Sequence, residues 1–294
     1  MKNLQNISAL FALSILAACG GGGGGSDATV QGSLGGTATK GPIGNATVVA
    51  YAIGNGQMGS QIGTASTDAN GNFTMAMGGY AGPVMLQVGG GTYLDEATGT
   101  IMTMAPGDVM TAVMPGFAAG ATVGGIQVTP VTAMAQARAQ AMAGGMTDAN
   151  IAAANAAMGN YFSVGDILHT PPMNPLMTGA GNGAGQDARN YGMALAGMSQ
   201  YAQGQGLGSS SAMVTALMHD ASDGFMNGQI GANPIPMGMG GMMGGGGMMH
   251  ATAGTGGLAS AMATFMNSNA NVSGLTMADM AALMQQLANS SGQI

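Results

Sequence analysis

The chain is poor in nearly everything that carries polar chemistry. Of its 294 residues only 5% are charged, four of them Lys or Arg and eleven Asp or Glu. Nucleic-acid binding needs clustered Lys and Arg to displace counterions from phosphates, and a net charge of −7 with no basic cluster excludes that class. There is one cysteine and no tryptophan. An intramolecular disulfide is therefore excluded, as is a zinc site built on several thiolates. Glu96 is the sole glutamate, so a hydrolase using paired carboxylates would have to rely on aspartates. The histidines are His169, His219 and His250, and none lies in a zinc-protease helix motif. There is no Gly-x-Ser-x-Gly elbow either. Beyond the first 18 residues no apolar run is long enough to span a bilayer, which takes about 20 residues. What the chain has instead is glycine and methionine, 56 and 31 residues respectively.

The single cysteine organises the start of the sequence. Lys2 precedes an apolar stretch from Leu10 to Ala18, interrupted only by Ser14. A positive start, a short apolar run and small residues at the end make a secretory signal peptide over residues 1–18. Leu16-Ala17-Ala18-Cys19 resembles the bacterial lipobox, whose cysteine becomes the acylated first residue of the mature protein. That resemblance implies lipidation at Cys19, which consumes the only thiol, and attachment to the membrane through that lipid. Residues 19–28 then form a tether, with Gly20 to Gly25 reaching about 5–6 Å × √n for n residues. Gly20 stands where enterobacterial lipoproteins retained at the inner membrane carry Asp, which favours the outer membrane, on its periplasmic face or at the cell surface.

From residue 29 to 115 the pattern is that of β structure. Val48, Ala50 and Ala52 alternate with Val49, Tyr51 and Ile53, so this strand is apolar on both faces and belongs in the middle of a sheet. Phe73, Met75 and Met77 alternate with small or polar residues. Asn70-Gly71 between two strand-like runs predicts a hairpin, because both residues tolerate positive φ. Asp68-Ala69-Asn70-Gly71 also matches half of a calcium loop, but position 12, where a bidentate Glu belongs, is Gly79, and the turn explains the same residues. Thr39-Lys40-Gly41-Pro42-Ile43-Gly44-Asn45-Ala46-Thr47-Val48-Val49-Ala50-Tyr51, followed by Thr67-Asp68-Ala69-Asn70-Gly71-Asn72-Phe73, resembles the carboxypeptidase regulatory-like family. The resemblance implies a small transthyretin-like β-sandwich. Such a module accompanies many secreted and surface proteins and brings no catalytic residues.

Past Pro130 the apolar period changes from two to 3.6. Val131, Met134, Ala135 and Met142 share one helical face with Gln136 and Gln140 opposite, and Arg138 falls inside the apolar stripe. Arg138 either extends its head to solvent or pairs with a buried carboxylate, Asp166, Asp187 or Asp220. Further helices follow from Thr147, from about Tyr191, from Ser211 and around Leu258. The last, 276–288, opens on the capping box Thr276-x-x-Asp279 and has a core face of Met280, Leu283, Met284 and Leu287. The fold class is thus α+β: an N-terminal all-β sandwich and a C-terminal all-α domain over 129–294, interrupted by a Met/Gly-rich loop at 234–257. The order of a β-module and then Val128-Thr129-Pro130 opening helices is also loosely similar to uncharacterised proteobacterial surface lipoproteins.

The methionines form two populations. Met134, Met158, Met198, Met262, Met280 and Met284 sit at stripe positions, as core filler in place of leucine. Met237, Met239, Met242, Met243, Met248 and Met249 lie among glycines, with His250 after them. This tract is expected to be mobile and exposed. Soft thioethers with an imidazole suit Cu(I) or Ag(I). Exposed thioethers also oxidise reversibly to sulfoxides. Low-complexity drift in a methionine-rich chain explains the same residues. Asp220 to Gly228, with Asp223 and Gly224 inside it, reads as a helix stop followed by turns rather than a calcium site. The expectation is a non-catalytic, lipid-anchored envelope protein, a structural or binding module with no cofactor and an unidentified protein or surface partner. The alternative is soft-metal binding or oxidant buffering at the methionine tract.

Overall fold

The computed structural model describes residues 31–237 and 247–294. The signal segment, Cys19 and tract residues Met239, Met242 and Met243 lie outside the described residues. Strands come first: β1 (Gly32–Ala38), β2 (Ile43–Gly44), β3 (Thr47–Gly54), β4 (Gln57–Ser66), β5 (Asn72–Gly78), β6 (Gly82–Gly89), β7 (Thr92–Leu94), β8 (Ile101–Thr103), β9 (Val109–Phe117) and β10 (Thr122–Val128). Helices follow: α1 (Pro130–Ala141), α2 (Asp148–Phe162), α3 (Gln186–Gly204) and α4 (Ser210–Ser222). A short ribbon of β11 (Gln229–Ile230) and β12 (Asn233–Pro234) precedes α5 (Gly256–Met266) and α6 (Met277–Asn289). The class is α+β. The strands run past residue 115, because β10 pairs in parallel with β1.

One sheet has the order β4-β3-β6-β9, antiparallel throughout, and a second has the order β10-β1-β5. In β5, Phe73, Met75 and Met77 turn inward while Thr74 and Ala76 turn out, the period of two visible in the sequence. They share a core with Leu34 of β1 and with Val48, Leu86 and Met110 from the four-stranded sheet. Gly36 in β1 is a close approach: a Cβ there would stand 2.0 Å from the Ile126 carbonyl oxygen, so no larger residue fits between β10 and the Phe73 ring.

The other face of the four-stranded sheet is also covered. Ile53, Met85 and Val113 pack against Ala139 of α1, Met146, and Ile151 and Ala154 of α2. This is why β3, between β4 and β6, is apolar on both faces. It also explains Gln136, which is buried rather than solvent-facing. α1 lies against the sheet and against α4, and Gln136 accepts from Thr111 Oγ1 of β9 at 3.1 Å and donates to Gln140 at 2.6 Å.

The Asp68 turn forms as its residues dictate. Asp68 Oδ1 accepts the Asn70 and Asn72 N–H groups at 2.9 and 2.8 Å, and Gly71 takes φ 80°. The Asn72 side chain and backbone donors hold the Asp68 carboxyl below its usual range. The predicted hairpin is nevertheless absent. β4 pairs with β3 and β5 with β1, so among the described residues no ladder joins β4 to β5. The turn carries the chain from one sheet to the other, a use that satisfies the same local chemistry.

The start of α1 locks the two parts together. Thr129 and Thr132 form a capping box with Pro130 at the first helical position. Thr132 Oγ1 also donates to the Thr111 carbonyl of β9 at 2.9 Å, and Thr129 Oγ1 meets the Tyr191 hydroxyl of α3 at 2.6 Å. The helices then pack around Met134, Met158, Met198, Met262 and Met280, all buried, with Met284 half-buried at the edge. Arg138 pairs with none of its expected carboxylates. It is half-buried and donates to the Ser222 carbonyl at 3.3 Å, at the negative C-terminal end of α4. The three aspartates are otherwise engaged: Asp166 with His169, Asp187 with the Gly165 N–H, and Asp220 with a turn described below.

Candidate functional site

The methionine tract differs from its expected exposure at both ends. Met237 N–H donates to the Gly247 carbonyl at 3.0 Å and Met249 N–H to the Ile235 carbonyl at 2.7 Å, around a bridge between Pro236 and Met248. Side chains alternate across this ladder. Met237 and Met249 are 1% and 4% exposed and belong to the helical core, while Met248 and His250 face solvent. The glycines between them conceal that period of two in the sequence. Of the proposed soft-metal set, Met237 and Met249 are thus packing residues in this conformation. Among the described residues no group of three or more His, Cys, Asp or Glu is gathered as a metal site.

Ser211, His219 and Asp220 do not converge. The Ser211 hydroxyl donates to Asp108, His219 is exposed near the end of α4, and Asp220 is buried beneath the following turn. Asp220 Oδ1 accepts the Asn227 and Gly228 N–H groups at 3.0 and 2.7 Å. Asp223 accepts from Phe225 and Gly231, and Gly224 and Gly228 take positive φ. This is the predicted helix stop. Asp220 Oδ2 is buried with no hydrogen-bond partner among the described residues. Burial pushes the Asp220 carboxyl up to about 6, against the pull of its backbone donors.

The most connected polar cluster is one that sequence reasoning missed. Lys40, in the turn after β1, is 1% exposed. Its ammonium lies 3.2 Å from Glu96 Oε2 and 3.9 Å from Asp95 Oδ2, donates to the Ser199 hydroxyl of α3, and stands 5.4 Å from the Tyr93 ring centroid. Ser199 Oγ donates in turn to Glu96 at 2.5 Å. Ser210, in the first turn of α4, donates to Asp95 Oδ2 at 2.5 Å and lies 3.1 Å from the Tyr93 hydroxyl. Asp95 Oδ1 accepts from the backbone of Ala97 and Thr98. Gly41 brings the segment close: at φ 60°, a Cβ there would meet the Leu94 carbonyl oxygen at 2.1 Å.

Every member of this cluster is committed to another. A serine beside a lysine attacks a substrate only if the amine is free to take its proton. Here the ammonium is paired with two carboxylates, and the Ser199 hydroxyl proton points to Glu96. Two small cavities adjoin it. One, of about 30 Å³, touches Asp95, Ser199 and Ser210. The other, of about 160 Å³, has Glu96 on one side and Pro171, Pro172 and Pro175 on the other. Gly192 lets α3 approach that proline segment, since a Cβ would meet the Met173 carbonyl oxygen at 1.9 Å. The arrangement fixes the strand-bearing part of the chain to α3 and α4. The only signal in the sequence was the rarity of the residues: one of four cations and the sole glutamate.

No protein-family model matches the chain, and no curated protein matches it.

Two outcomes follow from these buried charges. Lys40→Met leaves Asp95 and Glu96 buried without their cation, and should cost about 3–5 kcal/mol of unfolding free energy; urea denaturation reads this, and a loss below about 1 kcal/mol would contradict the described pairing. Asp220 binds its proton more tightly folded than unfolded, so the stability it contributes is present below the ordinary aspartate range and is lost as pH rises through about 6. Unfolding free energy should therefore fall by about 2–3 kcal/mol more in the wild type than in Asp220→Asn between acid and neutral pH. Parallel profiles would refute that assignment.

Proposed function

We propose that this is a non-catalytic, lipid-anchored protein of the bacterial cell envelope, attached through Cys19 and presenting its body as a structural or binding module. The body is proposed to pair a transthyretin-like β-sandwich with a helical part. The observation that carries the reading is the Lys40–Asp95–Glu96–Ser199–Ser210 cluster. In a chain with so few charged groups, the cluster nearest to a nucleophile, base and carboxylate is fully buried and spent on joining two parts of the molecule.

Other features support the same reading. Two sheets of four and three strands share one core, which supports the kind of sandwich that the resemblance of residues 39–51 and 67–73 implies. No helix among the described residues is long and apolar enough to cross a membrane, so attachment would fall to the lipid on Cys19. Gly20 to Gly25 would hold the body near the surface without fixing its orientation.

The anchor is tested by growing cells with an alkyne-bearing palmitate and comparing wild type with Cys19→Ala. The wild-type chain should take up the label and partition with the outer membrane, and the variant should do neither. Equal labelling of both, or recovery of the wild type in the soluble fraction, would overturn the reading.

A further inference from the structure

A groove of about 440 Å³ opens beside α4, at the edge of the helical core to which its lining residues Ala216 and Ile235 belong. That volume falls in the range of small-molecule sites, about 300–1,000 Å³. Its floor is one face of α4, where Ala212 and Ala216 leave room and Thr215 supplies a hydroxyl. The β11–β12 ribbon forms one wall with Ile230, Pro234 and Ile235. The turn leading into β9 forms the other, and there Asp108 lines the space. The Asp108 carboxylate is set in place by hydroxyls: Ser211 Oγ donates to one oxygen, and Thr215 Oγ1 approaches the other at 3.5 Å.

Among the described residues no ion pair compensates the charge of this wall, and His219, which lines the same groove, forms none with Asp108. The Lys and Arg side chains among the described residues are Lys40, Arg138 and Arg189. Lys40 belongs to the buried cluster, Arg138 donates to the Ser222 carbonyl, and Arg189 Nε to the Gly181 carbonyl at 3.0 Å. None forms an ion pair with Asp108. The smaller cavity beside Glu96 lacks this feature, because that carboxylate already holds Lys40.

We propose that the groove binds a small organic cation, an amine whose ammonium pairs with Asp108 while its apolar body lies along Ala212, Ala216, Ile230 and Pro234. A carboxylate fixed in a partly desolvated wall attracts an ammonium more strongly than one in open water. Asp108 is the one carboxylate in the lining, which disfavours a bare metal ion in the role, since such ions need several oxygen ligands. This goes beyond the anchored-module reading and does not depend on the lipid.

The test uses the purified full chain at neutral pH and three probes of one shape: benzylamine, benzyl alcohol and benzoate. Backbone amide NMR shifts locate and quantify binding. Benzylamine should give saturable shifts at residues 212–219 and 230–236, with an affinity at least about tenfold above benzyl alcohol and with benzoate weakest. Asp108→Asn should reduce that preference to about twofold or less. Ala212→Phe should fill the floor and abolish binding of all three probes, with an unchanged far-UV circular dichroism spectrum as the check on folding. Equal affinity for amine and alcohol, a preference that survives Asp108→Asn, shifts centred elsewhere or no binding of benzylamine would each overturn the proposal. Any of these outcomes leaves the palmitate-labelling result untouched.

Discussion

The structure depends on a buried ion pair. The Lys40 ammonium and the Glu96 carboxylate lie 3.2 Å apart with almost no exposure, and Asp95 stands just behind. Removing ions of this kind from water costs several kcal/mol each, and their mutual attraction about balances that cost. The pair is therefore a weak source of net stability and a strong source of specificity. Any arrangement that separates the turn after β1 from the segment after β7 leaves a bare charge in the interior. Ser199 and Ser210 extend the constraint to α3 and α4, so strands and helices cannot slide past one another without breaking it.

Around that joint the apolar packing is ordinary in kind and unusual in composition. The four-stranded sheet is covered by the other sheet on one face and by α1 and α2 on the other. Methionine occupies positions that leucine fills in most cores, and its flexible thioether adapts to irregular gaps. Glycine permits several of the closest approaches, including Gly36 between strands and Gly192 against the proline segment. Of its few ionic groups, Lys40, Asp95, Glu96 and Asp220 lie in the interior, while carboxylates such as Asp148, Asp187 and Asp279 are exposed.

The sequence showed what is local. The alternation of Phe73, Met75 and Met77, the helix start at Thr147, the box between Thr276 and Asp279 and the stop after Asp220 all follow from neighbouring residues, and each forms as expected. What depends on distant partners was hidden. Asn70-Gly71 specified a turn but not which sheets it joins. Gln136 followed the helical period to a polar face that the sheet and Met146 then covered. Met237 and Met249 alternate inward along a ladder whose partner strand lies across a glycine-rich gap, so no local window displayed the pattern. Lys40 and Glu96 are 56 residues apart. Nothing at either position announced the other.

Strands and helices joined in this way form one solid unit, with the Asp108 groove lined by α4. That depends on strands and helices behaving as one cooperative unit through the buried joint. Differential scanning calorimetry tests this most directly. The account predicts a single unfolding transition whose calorimetric and van't Hoff enthalpies agree. Two separable transitions, one for the strands and one for the helices, would contradict it.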